Sequence, residues 1–174
     1  SLQLNSDIQV MSQIGKGSCF TFTLEKAEPK RVSSIVSKPR GTTFTGMDVL
    51  CVDDQKENLD AMKTLLQKWG INVALANNWD DALTLCKTIQ PQILLMDYQL
   101  SHDSEKNGLA LIEEIRHRLN IVVPAALITA TPDESLVTQC KAQGVNFLAK
   151  PLKPAKLRAL LQSMTRYIRE AKNV

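Results

Sequence analysis

From Met47 onward the chain alternates short β-branched or apolar runs with stretches of helical period, and it does so five times. Few folds accommodate that pattern, because a strand that is apolar on both sides must be covered on both faces by the segments that follow it. The run MDVLCVDD reads as a buried strand and ENLDAMKTLLQKW as its helix, with Leu59, Met62, Leu66 and Trp69 on one stripe and Gly70 as the stop. NVALA precedes a helix capped by Asn78. QILLMDYQL precedes one starting near Asn107, with Leu109, Ile112, Ile115 and Leu119 as its inner face. VVPAALITA leads into Thr131-Pro132-Asp133-Glu134, read as a capping box with proline at the first helical position. NFLAK precedes a helix opened by Pro154, in which Leu157, Leu160, Leu161, Met164 and Ile168 recur at helical spacing. The expected fold is a doubly wound five-stranded parallel α/β sheet with right-handed crossovers.

In such sheets ligands meet the carboxyl ends of the strands, so polar residues there carry the functional expectation. The first strand ends in Asp53-Asp54, the third in Asp97, the fourth in Thr129 and the fifth in Lys150-Pro151. Three carboxylates at one edge repel, at a cost of roughly several kcal/mol in a poorly hydrated site, unless a cation sits among them. An all-oxygen set suits Mg²⁺, which keeps several waters and takes one or two carboxylates plus a phosphate oxygen. A carboxylate can itself be the nucleophile of phosphoryl transfer, with Mg²⁺, a lysine and a hydroxyl sharing the phosphoryl oxygens.

Composition removes other classes. At 174 residues, 44% hydrophobic and 22% charged, the chain suits one domain with an appendage. It has no apolar run of membrane-helix length and no signal-peptide layout at its start. Cys19, Cys51, Cys86 and Cys140 are scattered without a zinc-like spacing, so a reduced, cytoplasmic setting is expected. The net charge of +3 arises partly from Lys26, Lys30, Arg31, Lys38 and Arg40 in one segment, so no nucleic-acid surface is expected, and no membrane contact by this stretch. Residues 25–46, rich in Lys, Ser, Thr and Pro, read as a linker. Trp69, Trp79 and Cys51 read as packing residues, and His102 and His117 as surface residues unsuited to donate phosphate.

QIGKGSCFTF imitates a phosphate loop, but the position five residues before Gly15 is Val10, and an alternating strand follows Ser18 in place of a helix. A glycine turn between two strands is the expectation.

The combination Asp53-Asp54, Asp97, Thr129-Ala130, Phe147 and Lys150-Pro151 resembles the receiver domain of two-component response regulators, from about Met47 to the C-terminus. The resemblance implies a flavodoxin-like sheet of order 2-1-3-4-5, a chemotaxis receiver being a standard example of that order. It also implies Asp97 as phospho-acceptor, Asp54 as a direct Mg²⁺ ligand, Asp53 acting on the metal through water, and the Gln99 backbone carbonyl as a further ligand. Lys150 would pair with the phosphoryl group, Thr129 would hydrogen-bond it, Phe147 would be the aromatic switch, and the Lys150–Pro151 bond would be cis. The loop between Asp97 and Gly108 departs from the family in being longer and lacking its Met-Pro pair. Two alternatives stand beside this reading. One is a haloacid-dehalogenase-like phosphatase or phosphotransferase, which adjacent Asp53-Asp54 fits badly. The other is a degenerate receiver serving only as an interaction module.

Residues 1–24, with DIQVMSQIGKGSCFTFTL, resemble the closing β-hairpin of the histidine-kinase ATP-binding domain, with Cys19 at a position that lies near the adenine in that family. The resemblance implies the C-terminal part of a hybrid sensor histidine kinase: hairpin 1–24, linker 25–46 and receiver 47–174. Such a piece would bind no ATP and would not itself be a kinase. Its parent would be a protein-histidine kinase, with any membrane anchor upstream. Its partners would be a phosphohistidine donor and a downstream phosphorelay protein.

Overall fold

The computed structural model describes residues 8–13, 15, 17–22, 44–100, 107–130 and 133–171. The chain divides into two compact units, Ser1–Gly41 and Thr42–Val174. In the first, β1 (Ile8–Gln13) and β2 (Gly17–Phe22) form an antiparallel pair running from Ile8 opposite Phe22 to Gln13 opposite Gly17. Gly15 and Gly17 stand at φ of 80° and 104°, a left-handed region that side chains resist, which is why glycines make this turn. The structure thus has the expected strand, glycine turn and strand, and Ser18 runs on directly into strand, where a phosphate loop would open a helix.

The second unit runs β3 (Asp48–Val52), α1 (Lys56–Gln67), β4 (Asn72–Ala76), α2 (Trp79–Ile89), β5 (Ile93–Asp97), α3 (Gly108–Leu119), β6 (Ala125–Thr129), α4 (Glu134–Ala142), β7 (Val145–Ala149) and α5 (Pro154–Ala171). The five strands are parallel in the order β4-β3-β5-β6-β7. Successive side chains leave a strand on opposite faces, so each continuously apolar strand feeds two cores. Leu50, Val52, Leu94, Met96 and Leu127 pack against α2, α3 and α4. Val49, Cys51, Ile93, Leu95, Ala126 and Ile128 pack with Leu59 and Leu66 of α1 and Leu157, Leu161 and Met164 of α5. The central strands β5 and β6 are buried throughout, while the edge strands β4 and β7 carry exposed positions. Among the described residues no helix is long and apolar enough to cross a membrane.

Asn78 and Asn107 cap α2 and α3 with their side-chain oxygens, as their positions predict. Three expectations are corrected. α4 opens at Glu134, with the Asp133 carboxylate accepting from the Leu136 N–H, so the cap lies two residues beyond Thr131. A carboxylate satisfies the orphan N–H groups and the helix dipole better than a hydroxyl, and Asp133 wins that competition. Thr131, Pro132 and His102 lie outside the described residues. Trp69 is not on the α1 stripe, because α1 ends at Gln67. Its ring instead meets Phe44 at a centroid distance of 6.2 Å, with the Arg158 guanidinium 5.5 Å above it. Phe44 itself, placed in the linker on composition, is 2% exposed and belongs to the core under α1 and α5. One aromatic side chain covering an apolar gap outweighs the polar character of its neighbours.

Candidate functional site

Each strand ends where its next helix must begin, and that geometry delivers the polar residues to one edge. Asp53 and Asp54 follow the last residue of β3, Asp97 is the last residue of β5, Thr129 the last of β6, and Lys150 follows β7. The Asp53, Asp54 and Asp97 side chains each place a carboxylate oxygen within 4.8 Å of the others. Asp53 and Asp97 are buried at 8% and 6% exposure, whereas Asp54 faces solvent. The Lys150 ammonium spans the buried pair, with Nζ 3.1 Å from Asp53 Oδ2 and 3.0 Å from Asp97 Oδ2.

The electrostatics follow from that arrangement. Burial pushes the Asp97 carboxyl above its ordinary range, and the Asp53 charge adds to this; the hydrogen bond and charge of Lys150 pull it back only partly. For Lys150, burial alone would favour the neutral amine. The hydrogen bonds and charges of Asp97 and Asp53 together outweigh it and hold the ammonium above the usual lysine value. The Cys51 thiol, buried beneath the site, is pushed up by burial and by Asp53, and is inert as a nucleophile.

Thr129 is 4% exposed, and its carbonyl accepts from the Lys150 N–H at 2.7 Å. Phe147 lies opposite Leu127 in the parallel register, on the same sheet face as Thr129 and one side-chain repeat below it, and the residue is 40% exposed. Gln99 lies two residues past Asp97 with an exposed side chain. The Lys150–Pro151 peptide is cis. His117 is exposed on α3.

Two residues of the site escaped the sequence reading. Asn58, in the first turn of α1, donates through Nδ2 to both carboxylate oxygens of Asp53, at 3.0 and 3.1 Å. Its signal was an amide within one helical turn of an acidic pair. Gly108 is the first residue of α3, where a Cβ would stand 2.0 Å from the Asp97 carbonyl oxygen and 3.0 Å from Leu127 Cδ1. The helix can close on the end of β5, with its N–H donating to the Tyr98 carbonyl at 2.9 Å, only because no side chain is there. A glycine directly after the Asn107 cap, where glycine has no capping use, was the visible clue.

Beside the Asp53–Lys150 pair opens a cavity of about 320 Å³, walled by Asn58, Met62, Leu65, Pro151 and Leu152. One end is ionic and the walls are largely apolar. As a whole the edge presents an all-oxygen acidic cluster that could hold a hard cation, a buried carboxylate beside a lysine, and a buried hydroxyl.

A doubly wound parallel sheet carrying this constellation at its carboxyl edge defines a phospho-signalling class of α/β domain. Residues 49–162 match the family described as the response regulator receiver domain, and the chain belongs to that family. It is 31% identical over 156 residues to the autoinducer 2 sensor kinase/phosphatase LuxQ of Vibrio parahaemolyticus, covering 86% of this chain and 18% of that protein. It is 32% identical over 162 residues to the sensor histidine kinase AruS of Pseudomonas aeruginosa, covering 91% and 16%. The transcriptional regulatory protein ZraR of Salmonella typhimurium is 33% identical over 125 residues, covering 71% and 27%. The chain therefore spans about a quarter or less of the length of these relatives. Among solved structures, the chemotaxis protein CheY4 of Vibrio cholerae superposes with a TM-score of 0.62 at 22% identity, covering 68% of this chain and 98% of that one. A two-component response regulator from Clostridium difficile gives 0.63 at 23%, covering 70% and 98%. These two likenesses establish the fold. The protein is a receiver domain of two-component signalling preceded by an antiparallel hairpin, and the haloacid-dehalogenase alternative is left without support. Receiver domains take phosphoryl groups from histidine kinases or phosphotransfer proteins, and that is the function class here.

Proposed function

We propose that Asp97 is the phospho-acceptor of this receiver, taking its phosphoryl group from a phosphohistidine. The observation that carries the reading is the Lys150 ammonium held 3.0 Å from Asp97 and 3.1 Å from Asp53 beside a three-carboxylate cluster. In this reading an Asp97 oxygen attacks phosphorus, the P–N bond breaks with its electron pair remaining on the imidazole, and an acyl phosphate results. Lys150 is already charged and desolvated where negative charge will accumulate, so little reorganisation is needed. Asp53, Asp54, Asp97 and the Gln99 carbonyl are the groups that would hold Mg²⁺. When bound, that ion supplies positive charge to the phosphoryl oxygens. Thr129, at the end of the neighbouring strand, would hydrogen-bond the phosphoryl group, and Phe147 would turn inward into the space that Thr129 vacates. The exposure of Phe147 supports an outward resting state.

The parent protein in this proposal is a hybrid sensor histidine kinase. The likeness to LuxQ and AruS supports it, because those matches run over 156 and 162 residues, well beyond the receiver match at 49–162. Residues 1–24 then serve as the closing hairpin of a kinase ATP-binding domain, and 25–46 as a connection whose end, from Phe44, is built into the receiver. The setting is cytoplasmic, which the unpaired Cys19, Cys51, Cys86 and Cys140 support. Incubation with Mg²⁺ and acetyl phosphate, followed by intact-mass analysis, should show one added phosphate. Labelling that persists in Asp97→Asn, or in excess EDTA, would overturn the assignment.

A further inference from the structure

The Asp53 carboxylate accepts at both oxygens, and a single side-chain amide reaches the two of them. Its Oδ1 accepts from the Gln55 N–H at 2.9 Å and from Asn58 Nδ2 at 3.0 Å. Its Oδ2 accepts from the same Asn58 nitrogen at 3.1 Å and from Lys150 at 3.1 Å. Asn58 is itself steadied by the Gln55 side-chain oxygen at 3.3 Å, and it also walls the cavity between α1 and the segment after β7. One neutral amide thus grips both oxygens of a carboxylate whose other side-chain partner is a lysine shared with Asp97.

From this geometry we infer that Asn58 is a positioning residue: it fixes the orientation of Asp53 independently of Lys150, so that Oδ2 stays turned into the acidic cluster when the lysine leaves it. The inference rests on the phospho-acceptor reading above, in which Lys150 must follow the phosphoryl group on Asp97. Without Asn58, Asp53 would keep only the Gln55 N–H once Lys150 moved, whether toward a phosphoryl group or away from an entering divalent cation that repels it, and a carboxylate tethered at one oxygen swings about its terminal torsion. Every cation-binding event would then include the cost of reordering it. The donor's neutrality matters as much as its position. A lysine or arginine at 58 would hold Asp53 equally well but would spend its negative charge, leaving less for a divalent cation. An amide orients without neutralising, the task that hydrogen-bond partners behind metal ligands perform in metalloproteins.

The test is calorimetric titration of the whole 174-residue chain with MgCl₂ alone, with no phosphodonor present, alongside thermal melting. Wild type should bind saturably, and Asn58→Ala should bind about 10-fold more weakly at an unchanged melting temperature. Asn58→Gln, which restores a carboxamide, should recover most of the loss. If wild type shows no saturable Mg²⁺ binding, the phospho-acceptor reading fails and this inference falls with it. If wild type binds and Asn58→Ala binds equally tightly, the positioning role alone is wrong. Should Asn58→Ala also melt lower, Asn58→Gln decides: recovered affinity supports positioning, and recovered melting temperature without recovered affinity overturns it.

Discussion

Two half-buried cations stand at opposite ends of the same sheet, and they are held by different chemistry. Lys150, at the carboxyl edge, bridges Asp53 and Asp97. Arg116, at the far end of α3, donates from Nε to the Val123 carbonyl at 2.9 Å and from Nη1 to the Gln143 carbonyl at 2.8 Å. Burial disfavours charge on both. Lys150 nevertheless ends above its ordinary pKa, because two carboxylates face it. Arg116 ends below its own; burial dominates, and Tyr167 pulls back only in part. Carbonyl dipoles satisfy hydrogen-bond donors without returning the lost hydration energy of a full charge. The Arg116 end is therefore a fastener, tying α3 to the C-terminal cap of α4. The Lys150 end is poised: one cation faces two buried carboxylates, and in the proposed function that attraction would be redistributed when a phosphoryl group arrives.

The sharpest division between the ends is chemical. Asp97→Asn should abolish labelling by acetyl phosphate, whereas Arg116→Met should leave it within about 2-fold, as mass spectrometry would show. Labelling lost equally in both would end the distinction between poised site and fastener.

The backbone at the poised end should be the least forgiving of added bulk. Gly108→Ala drives a methyl group into the Asp97 carbonyl, and we expect it to cost about 3 kcal/mol or more by urea denaturation. A cost below about 1 kcal/mol would mean that α3 can withdraw from β5 freely.

Replacing each cation by methionine separates the two kinds of bonding. Lys150→Met leaves two buried carboxylates without their cation and should cost about 2–3 kcal/mol at neutral pH. Arg116→Met should cost about 1–2 kcal/mol for its lost hydrogen bonds. Their pH dependence differs in kind. The folded-state pKa of Lys150 is raised, so its contribution is full below the ordinary lysine value and is lost as pH rises through the folded value. The Lys150→Met penalty should therefore shrink only at strongly alkaline pH and, at the acid end, as the carboxylates protonate. The Arg116→Met penalty should stay level between those limits. Denaturation series at several pH values would check this.

The smallest effect has the opposite sign. Asp97 holds its proton more tightly when folded, so stability declines as pH rises from the ordinary aspartate value through the raised folded one. At neutral pH its charge is thus a burden on the fold, and Asp97→Asn should gain about 1 kcal/mol in stability while losing phosphorylation. A destabilised Asp97→Asn would show that the Lys150 contact matters more than burial.

Much of this was legible along the chain. Alternating strand and helix periods determined the sheet class, because an apolar run of strand length must be buried on both faces and only helices between parallel strands can do that. The same periods carried Asp53, Asp54, Asp97, Thr129 and Lys150 to one edge, since each stands at or just past the carboxyl end of a strand. Caps such as Asn78 and Asn107 were equally readable, being interactions within three residues. What the tertiary structure alone decided depends on distance through space. Phe44 sits in a polar, linker-like stretch, and only the gap under α1 and α5 makes it core. Arg116 looks like one more charge in Arg116-His117-Arg118 until α4, 27 residues on, presents its terminal carbonyl. Gly108 is indispensable because of a carbonyl 11 residues earlier, brought within touching distance by the return of the chain. Periodicity is local and survives in the sequence. Clearance, burial and the sign of a pKa shift belong to neighbours that only folding assembles.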